Sequence, residues 1–137
     1  MRVSLVLLLV LVACSVAYEG KVTISGEEFL VEVADTHDEQ LEGLMYRTSM
    51  PSNAGMIFVY DEVSPKAFWM KNTLIPLDML FIDENFRIAK IHRNVQPCVT
   101  EYCEQYAVKE PVQYVLELNG GRAEAFSVNQ TVVFEYI

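Results

Sequence analysis

Five consecutive residues, Trp69-Met70-Lys71-Asn72-Thr73, set an indole, an ammonium, an amide and a hydroxyl side by side, and a carboxylate follows at Asp78. Trp69 is the only tryptophan in the chain. A flat indole beside a cation and hydrogen-bonding side chains suits a sugar, or a small ligand bearing a carboxylate or phosphate. On this reading Arg47, Trp69, Lys71, Asn72, Thr73 and Asp78 are ligand-binding candidates, with Arg47 and Lys71 supplying positive charge. A second reading pairs Asp78 with Glu117 as acid and base of a hydrolase, Lys71 tuning one of them. The surrounding segments offer no His, Ser or Cys, no phosphate loop and no metal-ligand spacing. The reading therefore leans away from an enzyme and implies no cofactor or metal. A third reading is structural. Asp78 falls where a carboxylate would be buried at a cost of several kcal/mol, unless Arg47, Lys71, Asn72 or Thr73 satisfies it.

The elements that must position these residues follow from periodicity. After Pro76, Leu77, Met79 and Phe81 alternate with Asp78, Leu80 and Ile82, apolar on both faces, which predicts a central strand covered on both sides. Lys21 to Ile24 and Phe29 to Val33 alternate and flank Ser25-Gly26-Glu27-Glu28, an opening hairpin with Gly26 in the turn. Thr36-His37-Asp38-Glu39 has the form of a capping box. It predicts a substantial helix over 38–47, with Leu41, Leu44 and Met45 on one stripe and Arg47 at its edge. Further strands are expected over Met56 to Tyr60, Phe86 to His92, Val112 to Asn119 and Thr131 to Tyr136, with a short helix over 122–126. This pattern is mainly β, an antiparallel sandwich or partly closed barrel.

The 137 residues, 52% apolar, suffice for one domain with a real core. Residues 1–17 read as a secretory signal peptide: Arg2, an apolar run from Val3 to Ala13, then Ser15-Val16-Ala17. The run is shorter than the roughly 20 residues of a spanning helix. Leu11-Val12-Ala13-Cys14 also has lipobox form, which makes Cys14 a lipidation candidate. Removing the signal takes Arg2 from the 10 basic residues and leaves 9 against 19 acidic ones, a net charge of −10 for residues 18–137. Such a surface repels phosphate backbones, so nucleic acid is not an expected partner. It also repels anionic lipid, so any membrane attachment should run through Cys14. Cys98 and Cys103 are the only cysteines beyond the signal, and export favours a disulfide between them over a metal site, since His92 and His37 are poorly spaced for one.

Four segments carry a resemblance: GLMYR (residues 43–47), GMIFVY (55–60), FWMKNTLIPLDMLFID (68–83) and VLELNGG (115–121). In this order and spacing they resemble the bacterial and archaeal domain-of-unknown-function family 192, over residues 21–137. The Pro97-Cys98 and Cys103…Tyr106 arrangement is also similar to that family. The resemblance implies a small, mainly β, jelly-roll-like domain, often behind an export signal, and no established activity. One departure is Asn129-Gln130, where the family usually has a Gly-Asp turn. Asn129-Gln130-Thr131 is also a sequon, which makes Asn129 a glycosylation candidate in a eukaryotic secretory pathway. The expectation is an exported binding or accessory module of the cell envelope, whose partner is a small molecule or an envelope protein. The hydrolase and the purely structural or interaction domain are the alternatives.

Overall fold

The opening hairpin forms where the alternation places it, in a computed structural model that describes residues 15–137. Strands β1 (Gly20–Ile24) and β2 (Glu27–Ala34) pair antiparallel through the two-residue turn Ser25-Gly26, with φ of 50° and 85°. Two positive φ values define a type I′ turn, whose twist matches that of the flanking strands. Most of the expected signal segment, and Cys14 with it, lies outside the described residues.

The capping box is also present: Thr36 Oγ1 accepts from the Glu39 N–H, and the Glu39 carboxylate accepts from the Thr36 N–H. The helix it starts, α1, is only His37–Glu42, six residues rather than the expected ten over 38–47. Gly43 stops it with φ 49°, and the chain continues through turns in which Tyr46 holds φ 63° and donates its N–H to Asn72 C=O. That tertiary bond to the Trp69–Thr73 stretch outweighs the helical periodicity of residues 43–47.

From there α1 and its loop carry the chain back across the molecule, so β3 (Ala54–Ser64) runs parallel to β2. The later strands are β4 (Ala67–Phe68), β5 (Leu77–Ile82), β6 (Ile88–Val95), β7 (Tyr106–Ala107), β8 (Val112–Asn119) and β9 (Val132–Tyr136). The fold is mainly β, but it is not an antiparallel sandwich, a partly closed barrel or a jelly roll. It is one seven-stranded mixed sheet in the order β6-β5-β8-β3-β2-β1-β9, with β4 and β7 as a separate ribbon. The edge strands approach only through an isolated Arg87–Thr131 bridge, so the sheet curls without closing. The short helix expected over 122–126 is a run of turns, with Arg122 N–H on Asn119 C=O and Phe126 N–H on Ala123 C=O.

The curled sheet buries apolar residues on both faces. Phe29, Val31, Ile57, Leu80, Leu116 and Phe126 pack on one face. Phe58, Met70, Met79, Phe81, Val112 and Val115 pack on the other, beneath the loops that follow α1, β3 and β6. All six residues of β5 are buried, as its two-faced pattern requires. Where β3 crosses β8 the backbones approach so closely that a Cβ at Gly55 would lie 2.5 Å from Glu117 O and 2.8 Å from Leu118 Cδ2. Gly55→Ala is therefore expected to destabilise by about 1–3 kcal/mol in urea denaturation, through a forced shift of β8. Among the described residues no helix is long and apolar enough to cross a membrane.

Candidate functional site

Sheet register decides which of the expected site residues meet. In the β5–β8 ladder Met79 lies opposite Glu117 and Asp78 lies opposite Leu118. Successive strand residues point to opposite faces, so Asp78 and Glu117 are separated by the sheet itself. The expected acid/base pair is not formed.

Asp78 is fully buried, but its partners are not Arg47, Lys71, Asn72 or Thr73. Its two oxygens accept the backbone N–H groups of Asn94 at 2.7 Å and Ala123 at 2.6 Å. Arg93 completes the arrangement from β6 by donating to the carbonyls of Ala123 (3.4 Å) and Phe126 (2.6 Å). Gly120 donates its N–H to Pro76 C=O at 2.9 Å. A carboxylate and a guanidinium thus hold the irregular 120–126 segment against the sheet by satisfying its backbone, which is a structural role.

Glu117 occupies the other face, on the wall of a cavity of about 360 Å³. Strands β3 and β8 contribute Phe58, Tyr60 and Glu117, and α1 with its C-terminal turn contributes His37, Gln40 and Gly43. Strand β4 and the loop after it supply Phe68, Trp69, Lys71 and Thr73, and the disulfide loop supplies Gln105. The Glu117 residue is 4% exposed, and among the described residues no hydrogen bond or ion pair reaches its carboxyl. Burial pushes its pKa up to about 8. The Tyr60 hydroxyl is raised above the ordinary phenol value, first by burial and then by the charge of Glu117.

Two of the donors lining the cavity are engaged elsewhere. The Gln40 amide donates to Val59 C=O at 2.8 Å and Ala34 C=O at 3.4 Å. The Thr73 hydroxyl donates to Lys71 C=O at 3.3 Å. Lys71 stands at the mouth, its Nζ 5.1 Å from the centre of the Trp69 ring. The cavity thus joins a buried carboxyl to aromatic walls.

Three of the six ligand-binding candidates, Trp69, Lys71 and Thr73, line this cavity. Asn72 instead shapes the loop: at φ 54° it donates its amide to the Tyr46 hydroxyl at 3.0 Å. Arg47 forms a bidentate pair with Glu32, both contacts 2.7 Å, beside a separate acidic hollow bordered by Glu19, Glu39 and Glu42. Asp78 lies on the far side of the sheet. Phe58, Tyr60 and Gln105 were absent from the sequence-level list. Phe58 and Tyr60 were recoverable in principle, because Met56, Phe58 and Tyr60 alternate onto one face and Met56 pairs with Glu117. Gln105 was not, since its place depends on the path of an irregular loop.

Cys98 and Cys103 are joined in a disulfide, Cα–Cα 5.6 Å, as expected. The bridge closes the loop that delivers Gln105 to the cavity, and Cys98 packs partly against the Phe58–Phe81 core. The sequon residue Asn129 sits in an exposed turn with φ 71°.

A mainly β domain with one mixed sheet and an aromatic cavity beneath the WMKNT segment defines the class. The chain belongs to the domain-of-unknown-function family 192, described as an uncharacterized ACR, whose model matches residues 20–134. A protein of unknown function from Novosphingobium aromaticivorans DSM 12444 shares the fold at TM-score 0.76 and 34% identity, over 84% of this chain and 83% of that one. A protein from Sinorhizobium meliloti 1021, provisionally described as a transcription regulator, aligns at TM-score 0.74 and 38% identity, over 89% and 97%. No curated protein matches the chain.

Proposed function

We propose that this protein is an exported, non-enzymatic small-ligand-binding module of the cell envelope, and that its ligand occupies the cavity walled by Glu117, Phe58, Phe68 and Trp69. The observation that carries the reading is Glu117, a buried carboxyl on a cavity wall with its acceptor capacity unfilled by the described residues. The carboxyl makes no hydrogen bond among the described residues and opens on the cavity, where a ligand can supply donors. The disulfide agrees with an oxidising compartment, and the apolar run before residue 15 agrees with export. Regulation of transcription gains no support here, because a net charge of −9 repels nucleic acid.

The test is a melting-temperature screen of the protein against a library of small metabolites. Trp69 is 43% exposed and contributes little to the core, so Trp69→Ala should fold normally. Library members that stabilise the wild type are expected to lose most of that shift with Trp69→Ala. A library that shifts neither protein, or shifts both equally, would remove the cavity as a binding site.

A further inference from the structure

Resting on that binding reading, we infer that the cavity is an ammonium site: it takes a small protonated amine whose charged head meets Glu117 and whose apolar remainder lies against Phe58, Phe68 and Trp69. Three observations narrow the ligand to this class.

The first is the mismatch in hydrogen-bonding capacity at Glu117. An ionised carboxylate offers about four acceptor positions and no donor. Two of the side-chain donors lining the cavity, on Gln40 and Thr73, are committed to backbone carbonyls, and the Tyr60 hydroxyl alone does not fill the carboxylate's acceptor positions. An ammonium brings three donors and the opposite charge to a group that burial has stripped of water.

The second is charge. The titratable and charged groups that share the cavity with Glu117 are Tyr60 from β3, His37 and Glu42 from α1, and Lys71 from the loop after β4. An anionic ligand would bring its charge into a low-dielectric space with Glu42 nearby and no buried cation among the described residues to meet it. The one Lys or Arg lining the cavity is Lys71, at the exposed mouth over Trp69, where water and salt screen it. Arg47, which an anion would have needed, is bound to Glu32 outside the cavity.

The third is the walls. Phe58, Tyr60, Phe68 and Trp69 surround the same space. Aromatic faces attract cations and accept the apolar part of an amine. A polyol would also find the Trp69 face and polar groups such as the Tyr60 hydroxyl and the Gln105 amide, but it would bring no charge to Glu117.

Binding on these terms displaces a proton. With the carboxyl held up to about 8 in the empty cavity, most molecules carry Glu117 neutral at pH 7. An arriving ammonium ion-pairs with the carboxylate, and the carboxyl proton passes to the buffer. The amine keeps its own protons, and charge balances. Close to one proton should be released for each ligand bound at pH 7, falling towards none well above pH 8.

Isothermal titration of the exported chain with benzylamine, in phosphate and in Tris at pH 7, reads affinity and proton release together. The expected result is a single saturable site for benzylamine, release approaching one proton per ligand, and at least tenfold weaker binding of benzyl alcohol. Glu117→Gln should bind benzylamine at least tenfold more weakly and release no proton; the proton count on the wild type stands even if that variant folds poorly. Benzyl alcohol or glucose binding as tightly as benzylamine, without proton release, would overturn the ammonium assignment and leave the cavity reading standing. No saturable heat from benzylamine, while neutral compounds stabilise the protein in the melting screen, would do the same. Failure of every compound in both experiments would overturn the two readings together.

Discussion

Glu117→Gln is expected to make the protein more stable at pH 8 than the wild type and to remove much of the wild-type loss of stability between pH 5 and pH 8. The sign follows from the direction of the shift. Burial raises the Glu117 pKa from 4.5 to about 8, so the folded state holds a proton that the unfolded chain has already released across that range. Stability therefore falls with rising pH, by about 1.4 kcal/mol per pH unit, from the unfolded value up to the folded one, and levels off above it. Over the whole window the effect is on the order of 5 kcal/mol. Glutamine keeps the shape and does not ionise. The difference between variant and wild type cancels the contributions of all other groups, which both proteins share. Urea denaturation at pH 5, 6.5 and 8 measures it. Parallel stability–pH curves for the two proteins would show that Glu117 is hydrated in the folded state, contrary to its 4% exposure.

How much of this was legible in the sequence depends on whether a feature is local. The opening hairpin, the Thr36–Glu39 capping box and the two-faced strand at Leu77–Ile82 are fixed by neighbouring residues and all form, the hairpin with a tighter turn than read because Glu27 and Glu28 join β2. The short Cys98–Cys103 spacing likewise left little freedom. The length of α1 was misread because Leu44 and Met45 continue the helical period, whereas Tyr46 is held by Asn72, 26 residues later. The parallel β2–β3 pairing was misread for a similar reason: alternation reports faces but not strand direction. At the site, side-chain types identified the right neighbourhood but not the right side of the sheet. Asp78 and Glu117 look interchangeable as carboxylates, and only the Met79–Glu117 register separates them.

That register divides the family signature into two devices. The WMKNT half turns Trp69, Lys71 and Thr73 towards the cavity, while Met70 is buried in the core and Asn72 ties the loop to Tyr46. The IPLD half serves the opposite face, where Pro76 C=O receives the Gly120 N–H and Asp78 receives those of Asn94 and Ala123. The VLELNGG segment is divided in the same way, Glu117 belonging to the cavity and Gly120 to the backbone node. A Cβ on Gly120 would lie 2.8 Å from Asn94 Oδ1 and 3.1 Å from Pro76 Cβ, so the node leaves no room for a side chain there. One run of sequence thus serves cavity and fold at once, through alternate residues of adjacent strands.

Asp78→Ala separates the two devices. Truncation leaves the N–H groups of Asn94 and Ala123 without their acceptor. Each such loss costs about 1–3 kcal/mol, so the expected destabilisation is about 3–5 kcal/mol, with a fall in melting temperature of roughly 10 °C or more. Asp78→Asn retains one acceptor oxygen and turns an amide N–H₂ towards the other donor, so an intermediate loss is expected. Neither change touches the cavity. At a temperature where Asp78→Asn remains folded, it should bind any ligand of the wild type with unchanged affinity, whereas Glu117→Gln should lose that affinity without losing stability. Urea denaturation and calorimetric titration on the two variants give the comparison. If Asp78→Asn kept wild-type stability and lost the ligand, Asp78 would belong to the binding site and the division drawn by the sheet would be wrong.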